Sequence, residues 1–236
     1  RVINLGGTAV GTGLTAPRSF IFLVTDKLRA VTGFGLTRGE NLMDETANAD
    51  ALVEVSGILK ALASNIVKVC GDLRTLHFTG EIRLPAVQAG SSIMPGKVNP
   101  VVLESAIQVG LKVMSNDMLV AECASRGSQQ IVEFMPLLAF AFLESLQLLS
   151  RACAMLATHV AGIEGVATVC AGWLRASPAA VTAFLPYVGY EKATELVARY
   201  EASGDDDVVA FLKRELGEEL VQHVLSAESL NALGYR

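Results

Sequence analysis

Residues 90–100 read Gly90-Ser91-Ser92-Ile93-Met94-Pro95-Gly96-Lys97-Val98-Asn99-Pro100, between long stretches whose apolar residues recur at helical spacing. Two glycines, two hydroxyls, an ammonium and an amide within these eleven residues suit a ligand-facing loop better than a core segment. A nucleotide cradle is the first alternative to test. A P-loop encloses four residues between its glycines and places Ser or Thr after its Lys, whereas Gly90 and Gly96 enclose five and Val98 follows Lys97. A helix-capping turn, with Asn99 as cap and Pro100 at the first helical position, is compatible with the run but explains neither the paired serines nor Met94-Pro95-Gly96-Lys97.

Residue for residue, the run resembles the signature loop GSSxMPxKxN of the fumarase/aspartase superfamily, whose members eliminate a group across a C–C bond of a succinyl-type substrate and release fumarate. The chemistry accounts for the residue types. Removing a weakly acidic proton next to a carboxylate builds a dianion that water alone stabilises poorly. Preorganised donors aimed at that charge are worth roughly 3 kcal/mol or more each. A free serine hydroxyl is too weak a base at neutral pH and needs the same donor-rich surroundings to act as an alkoxide. The resemblance implies that Ser91 is the general base, that Ser92, Met94, Lys97 and Asn99 contact the substrate, and that Gly90 and Gly96 let the loop close. It also implies that Glu104, one turn into the following helix, orients a catalytic group from another subunit; the competing reading is a carboxylate at a helix N-terminus, worth about 0.3–1 kcal/mol.

Ile93, Gly96 and Val98 match the fumarase/aspartase branch rather than the argininosuccinate or adenylosuccinate lyases. Gln88-Ala89 before the loop and Val101-Val102 after it look more like aspartase than fumarase. The reaction so implied is elimination of ammonia from L-aspartate, with a class II fumarase activity or a non-catalytic helical oligomerisation module as alternatives. No cofactor is implied. The family's other two active-site segments, a Thr/Ser/Asn loop and a Thr-His or Thr-Gln segment, are absent from these residues. Each active site in the family is shared between subunits, so the expected assembly is a homotetramer and the expected substrate a small dicarboxylate; the 236-residue chain alone is expected to be inactive.

Composition narrows the classes. The chain is 51% hydrophobic with a mean hydropathy of +0.44, and its charged residues break the apolar runs short of the roughly 18–20 residues that span a bilayer. A net charge of −5 without a basic cluster excludes nucleic acid as an expected partner. Cys70, Cys123, Cys153 and Cys170 form no CxxC pair and no signal peptide is visible, so reduced thiols and a cytoplasmic location are expected. His77, His159 and His223 have no ligand-like spacing, and no metal site is expected.

Near the start, Gly6-Gly7-Thr8-Ala9-Val10-Gly11-Thr12-Gly13 fails the dinucleotide fingerprint because Thr8 stands at a glycine position and no strand is expected before it. It resembles a helix-joining segment of the same family, and no chemistry is assigned to Thr8 or Thr12. Pro17 opens a helix that ends near Gly33, and residues 34–46 read as a connection. Three long helices are expected near 47–76, 101–124 and 134–162, packed antiparallel. The first carries a stripe of Leu52, Val55, Leu59, Leu62, Ile66 and Val69. The third is apolar nearly all round and should be buried on every side, which implies an oligomeric core. Between the first and second, His77 to Pro85 is shorter than the family's SGPR-type segment. Ser128-Gln129-Gln130-Ile131-Val132 departs from the family's GQLELN, so Gln130 is given no role. The fold class expected is all-α, with residues 1–163 forming part of a helical bundle and 164–236 a small helical C-terminal domain.

Overall fold

The computed structural model describes residues 1–234, which fold into eleven α-helices and four two-residue strands. The chain is all-α, as the periodicity predicts. Two compact units emerge: residues 1–77 with 84–163, and residues 78–83 with 164–236.

In the first unit, strand β1 (Val2–Ile3) pairs in parallel with β2 (Thr37–Arg38). A short strand therefore does precede the Gly-rich run, against expectation, and its partner lies inside the stretch read as a plain connection. The run folds under Leu42: a Cβ on Gly11 would lie 2.3 Å from the Leu42 carbonyl oxygen, so only glycine fits. Helix α1 (Arg18–Thr32) follows Pro17 and stops at Gly33, whose left-handed backbone (φ 70°) donates its N–H to the Arg29 carbonyl. A single turn, α2 (Asp44–Ala47), leads into α3 (Asp50–Phe78).

Helices α3, α4 (Val101–Ser125) and α5 (Met135–Val160) are the long ones. Side-chain contacts fix their directions. Ser56 and Lys60 meet Asp117, Ala63 meets Gly110, and Arg74 meets Glu104, so α3 and α4 run antiparallel. Lys112 and Asn116 meet Glu144, and Val120 and Cys123 pack with Leu138 and Ala141, so α5 is antiparallel to α4. The stripe expected on α3 needs correcting. Its buried line is Ser56, Ala63, Ile66 and Cys70, while Val55, Leu62 and Val69 are exposed. Small residues face the neighbouring helix because they permit close approach: a Cβ on Gly110 would sit 3.1 Å from the Ala63 carbonyl oxygen and 2.5 Å from Val67 Cγ2.

Helix α5 carries more apolar surface than one chain covers. It buries Leu138, Ala141, Ser145, Leu149 and Ala152 in one line but leaves Leu137, Phe140, Leu143 and Leu146 exposed, so burial on every side is not achieved within one chain. At 26 residues it is long and apolar enough to cross a membrane by length and composition, which the reading of interrupted runs missed. Its Ser145 and Glu144 nevertheless engage Asn116 of α4, a polar contact typical of a bundle interior.

The second unit comprises β3 (Ile82–Arg83) paired antiparallel with β4 (Glu164–Gly165), then α6 (Ala167–Ala176), a 3₁₀ turn (Pro178–Phe184), α7 (Leu185–Val188), α8 (Tyr190–Ser203), α9 (Val208–Leu216), α10 (Glu218–Val224) and α11 (Ala227–Leu230). Phe184, Leu196, Val208, Leu212 and Val221 are wholly enclosed, each worth about 1.5–3 kcal/mol of burial. Tyr200 meets Phe211 edge-on at 5.5 Å between ring centroids. The acidic turn has a structural use: Asp207 caps α9 by accepting the Ala210 N–H at 2.8 Å, and Asp205 pairs with Arg214.

Candidate active site

Residues 90–99 lie between Leu84, which is buried, and the first turn of α4. The two ends of the loop meet at a neck. A Cβ on Gly90 would fall 2.1 Å from the Lys97 carbonyl oxygen, and the Asn99 side-chain amide donates to the Gly90 carbonyl at 2.7 Å. Asn99 therefore reaches backwards to close the loop. It does not cap α4, whose N-terminal boundary residue is Pro100 and which has no side-chain cap. That corrects the capping reading: a carbonyl of the opposite limb lies within reach and outcompetes the helix N-terminus for the amide. The result is a closed loop of the Ω kind, with ends in contact and an exposed arc.

On the arc, Ser91 is half-buried, and its Oγ accepts the backbone N–H groups of Ile93 and Met94, both at 3.1 Å. Two donors directed at one hydroxyl oxygen favour its deprotonated form, because hydrogen bonds to a charged state stabilise that state. Ser92 and Lys97 are exposed, and among the described residues Lys97 is paired with no carboxylate. Met94 is half-exposed and Ile93 almost fully so. Gly96 adopts a left-handed conformation (φ 77°) in open space and turns the chain back toward the neck. The Lys97 N–H then donates to the Met94 carbonyl at 3.3 Å. Ser91, Ser92, Met94 and Lys97 thus lie along the arc and Asn99 at the neck.

Glu104 lies one turn into α4, and its Oε1 receives Arg74 of α3 at 3.3 Å. Its partner within the chain is thus a cation from the end of α3. One turn further on, the Nε2 of His77 lies 3.2 Å from the Val98 carbonyl. That oxygen only accepts, so the ring nitrogen carries the proton. Neither Arg74 nor His77 stands out in the sequence; the one available signal was the position of His77 at the start of the shortened segment before the loop. Gln130 lies in a turn where Gln129 has φ 50° and Ser128 bridges Ile131, and both Gln129 and Gln130 are exposed. Thr8 hydrogen-bonds the Gly7 carbonyl at 2.7 Å. Among the described residues no group of three or more His, Cys, Asp or Glu side chains is arranged to hold a metal ion.

Comparison with known proteins agrees with the loop. The family described as Lyase matches residues 2–115. The aspartate ammonia-lyase of Helicobacter pylori (strain ATCC 700392 / 26695) is 38% identical over 238 aligned residues, covering 98% of this chain and 51% of that protein. Among solved structures, a fumarate lyase/delta crystallin from Brucella melitensis superposes with a TM-score of 0.85 at 38% identity, covering 94% of this chain and 50% of its own. The class II fumarase of Schistosoma mansoni superposes with a TM-score of 0.78 at 27% identity, covering 94% and 51%. The chain spans about half the length of the curated relatives it matches. By its helices, its loop and these likenesses the chain resembles the fumarase/aspartase superfamily, and it is similar to aspartate ammonia-lyases over about half their length.

Proposed function

We propose that the complete protein is a carbon–nitrogen lyase that eliminates ammonia from L-aspartate to give fumarate. The observation that carries this reading is the Ser91 hydroxyl accepting two backbone N–H groups within a loop that also presents Lys97. As alkoxide, Ser91 takes a proton from the substrate carbon next to the side-chain carboxylate, and the electron pair moves into that carboxylate as an aci-carboxylate dianion. Collapse of the dianion forms the double bond and breaks the C–N bond, so that the substrate's ammonium group leaves as ammonia. The serine proton then passes to solvent. Lys97 and Asn99 meet the carboxylate whose charge grows, so their interaction strengthens toward the transition state. Ser92 and Met94 contact the bound dicarboxylate. Glu104, held by Arg74, supports the catalytic group of a neighbouring subunit.

The protein is proposed to be a cytoplasmic homotetramer with shared active sites. The exposed Leu137, Phe140, Leu143 and Leu146 on α5, with Val55, Leu62 and Val69 on α3, support this, because an open apolar face on a bundle helix calls for a partner. A class II fumarase is the second reading, favoured by the structural likeness to the Schistosoma mansoni enzyme. The two are separated by offering the full-length protein L-aspartate and L-malate and following fumarate by its ultraviolet absorbance. Aspartate is the expected substrate. Turnover of malate alone would establish the second reading, and no turnover of either would leave a helical oligomerisation module.

A further inference from the structure

We propose that His77 is a positioning residue for the 90–99 loop: the end of α3 grips the loop's exit limb through the Val98 carbonyl and so holds the arc on which Ser91 sits.

The geometry is specific. Val98 lies between the two residues that form the neck, Lys97, whose carbonyl abuts Gly90, and Asn99, whose amide holds the Gly90 carbonyl at 2.7 Å. Contacts within the loop fix one limb against the other, and the Asn99 carbonyl accepts the N–H of Val101 at the start of α4 at 2.9 Å. The His77 bond at 3.2 Å adds an attachment to a second element, the last turn of the 29-residue helix α3. Arg74, three residues earlier and on the same face of α3, holds the first turn of α4 through Glu104 at 3.3 Å. The two side chains thus pin the loop's exit and the start of the next helix to one element. The arc has no comparable packing: Ile93 is 85% exposed, Ser92 and Lys97 are exposed, and Gly96 has nothing within 4 Å of where its Cβ would be. A loop with so few tertiary contacts keeps its conformation through its base. Loss of the His77 donor leaves the Val98 carbonyl unpaired and lets the neck move, which loosens the Ser91 contacts to Ile93 and Met94.

The effect on loop order is independent of what the loop does; the effect on turnover rests on the lyase reading above. In the intact protein, His77→Leu removes the donor at similar bulk, and His77→Gln keeps an N–H at about the same reach. Backbone amides of residues 92–98 should exchange with solvent about three- to tenfold faster in His77→Leu, the population change produced by losing one ordinary hydrogen bond, and at the parental rate in His77→Gln. For aspartate, KM should rise by the same factor in His77→Leu while kcat changes by less than about twofold, because bound substrate restores the competent loop. Unchanged loop exchange in His77→Leu overturns the proposal, as does His77→Gln behaving like His77→Leu. Faster exchange without aspartate turnover by the parent protein upholds the grip and removes the lyase reading.

Discussion

At the scale of single residues, the paired serines and the Lys97–Asn99 spacing were legible because a fixed linear pattern carries them. What closes the loop was not, because it depends on which carbonyl comes within reach after folding. Asn99 shows the difference: its sequence position suggests a helix cap, yet its amide bonds back to Gly90. The same neck makes Gly90 irreplaceable for a reason unrelated to left-handed backbone. Gly90→Ala would drive a Cβ into the Lys97 carbonyl, with backbone on both sides and no flexible side chain to yield. Steady-state assay of the full-length variant should show kcat/KM lowered about 100-fold, the usual consequence of displacing reacting groups by an ångström, with thermal stability little changed. Parental activity in Gly90→Ala would show that the neck does not set the loop. His159, on the buried line of α5, makes a prediction about pH. It is 8% exposed, and burial pushes its imidazole below the ordinary value of 6.5. The folded state therefore binds this proton less readily than the unfolded state does. The contribution to stability is complete above the unfolded value and is lost as the pH falls below about 6.5 toward the depressed folded value. Denaturant midpoints measured from pH 8 to 5 should fall, and His159→Leu should flatten that part of the profile.

Helices are the scale at which sequence reading was most and least successful at once. The three long helices lie within about three residues of their expected ends, because apolar periodicity and the Pro/Gly signals that bound it are local properties. Which face of α3 turns inward was misread, since large apolar residues look like a core stripe whether they meet a helix of the same chain or some other surface. The inward face uses small residues, and α4 answers with Gly110 and with Asp117, which takes up Ser56 and Lys60, while the neighbouring Asn116 turns to α5. Asn116 donates to Glu144 at 2.8 Å, to Ser145 at 3.1 Å and to the Ala141 carbonyl at 3.2 Å, and accepts from Lys112 at 2.6 Å. Its hydrogen bond and the neighbouring Lys112 hold the Glu144 carboxyl below its ordinary value. Asn116→Leu leaves Ser145 buried without this partner and should cost about 2–3 kcal/mol in equilibrium unfolding. Gly110→Ala, which must push α3 from α4 or turn Val67, should cost about 1–3 kcal/mol. A loss below about 0.5 kcal/mol at both positions would mean that the α3–α4–α5 contacts adjust freely and that their register is not specified by this layer.

For the molecule as a whole, the apolar character of the sequence anticipated more burial than one chain provides, and its excess lies on the outer faces of α3 and α5. Sedimentation of the full-length protein at micromolar concentration should give a tetramer. Introducing charge on the open face of α5 with Phe140→Asp should shift it to smaller species, and a stable monomer in the parent protein would contradict the account. Whether the lyase chemistry is right is a separate matter and turns on one atom, the Ser91 hydroxyl oxygen. The most direct test is kcat and KM for fumarate formation from L-aspartate by the full-length enzyme carrying Ser91→Ala, with Ser92→Ala beside it. A base acts on a proton in flight and adds little to ground-state binding, so Ser91→Ala should lower kcat by about a thousandfold or more at nearly constant KM, and Ser92→Ala should be milder. Comparable small losses at the two serines, or activity that survives in Ser91→Ala, would contradict the account.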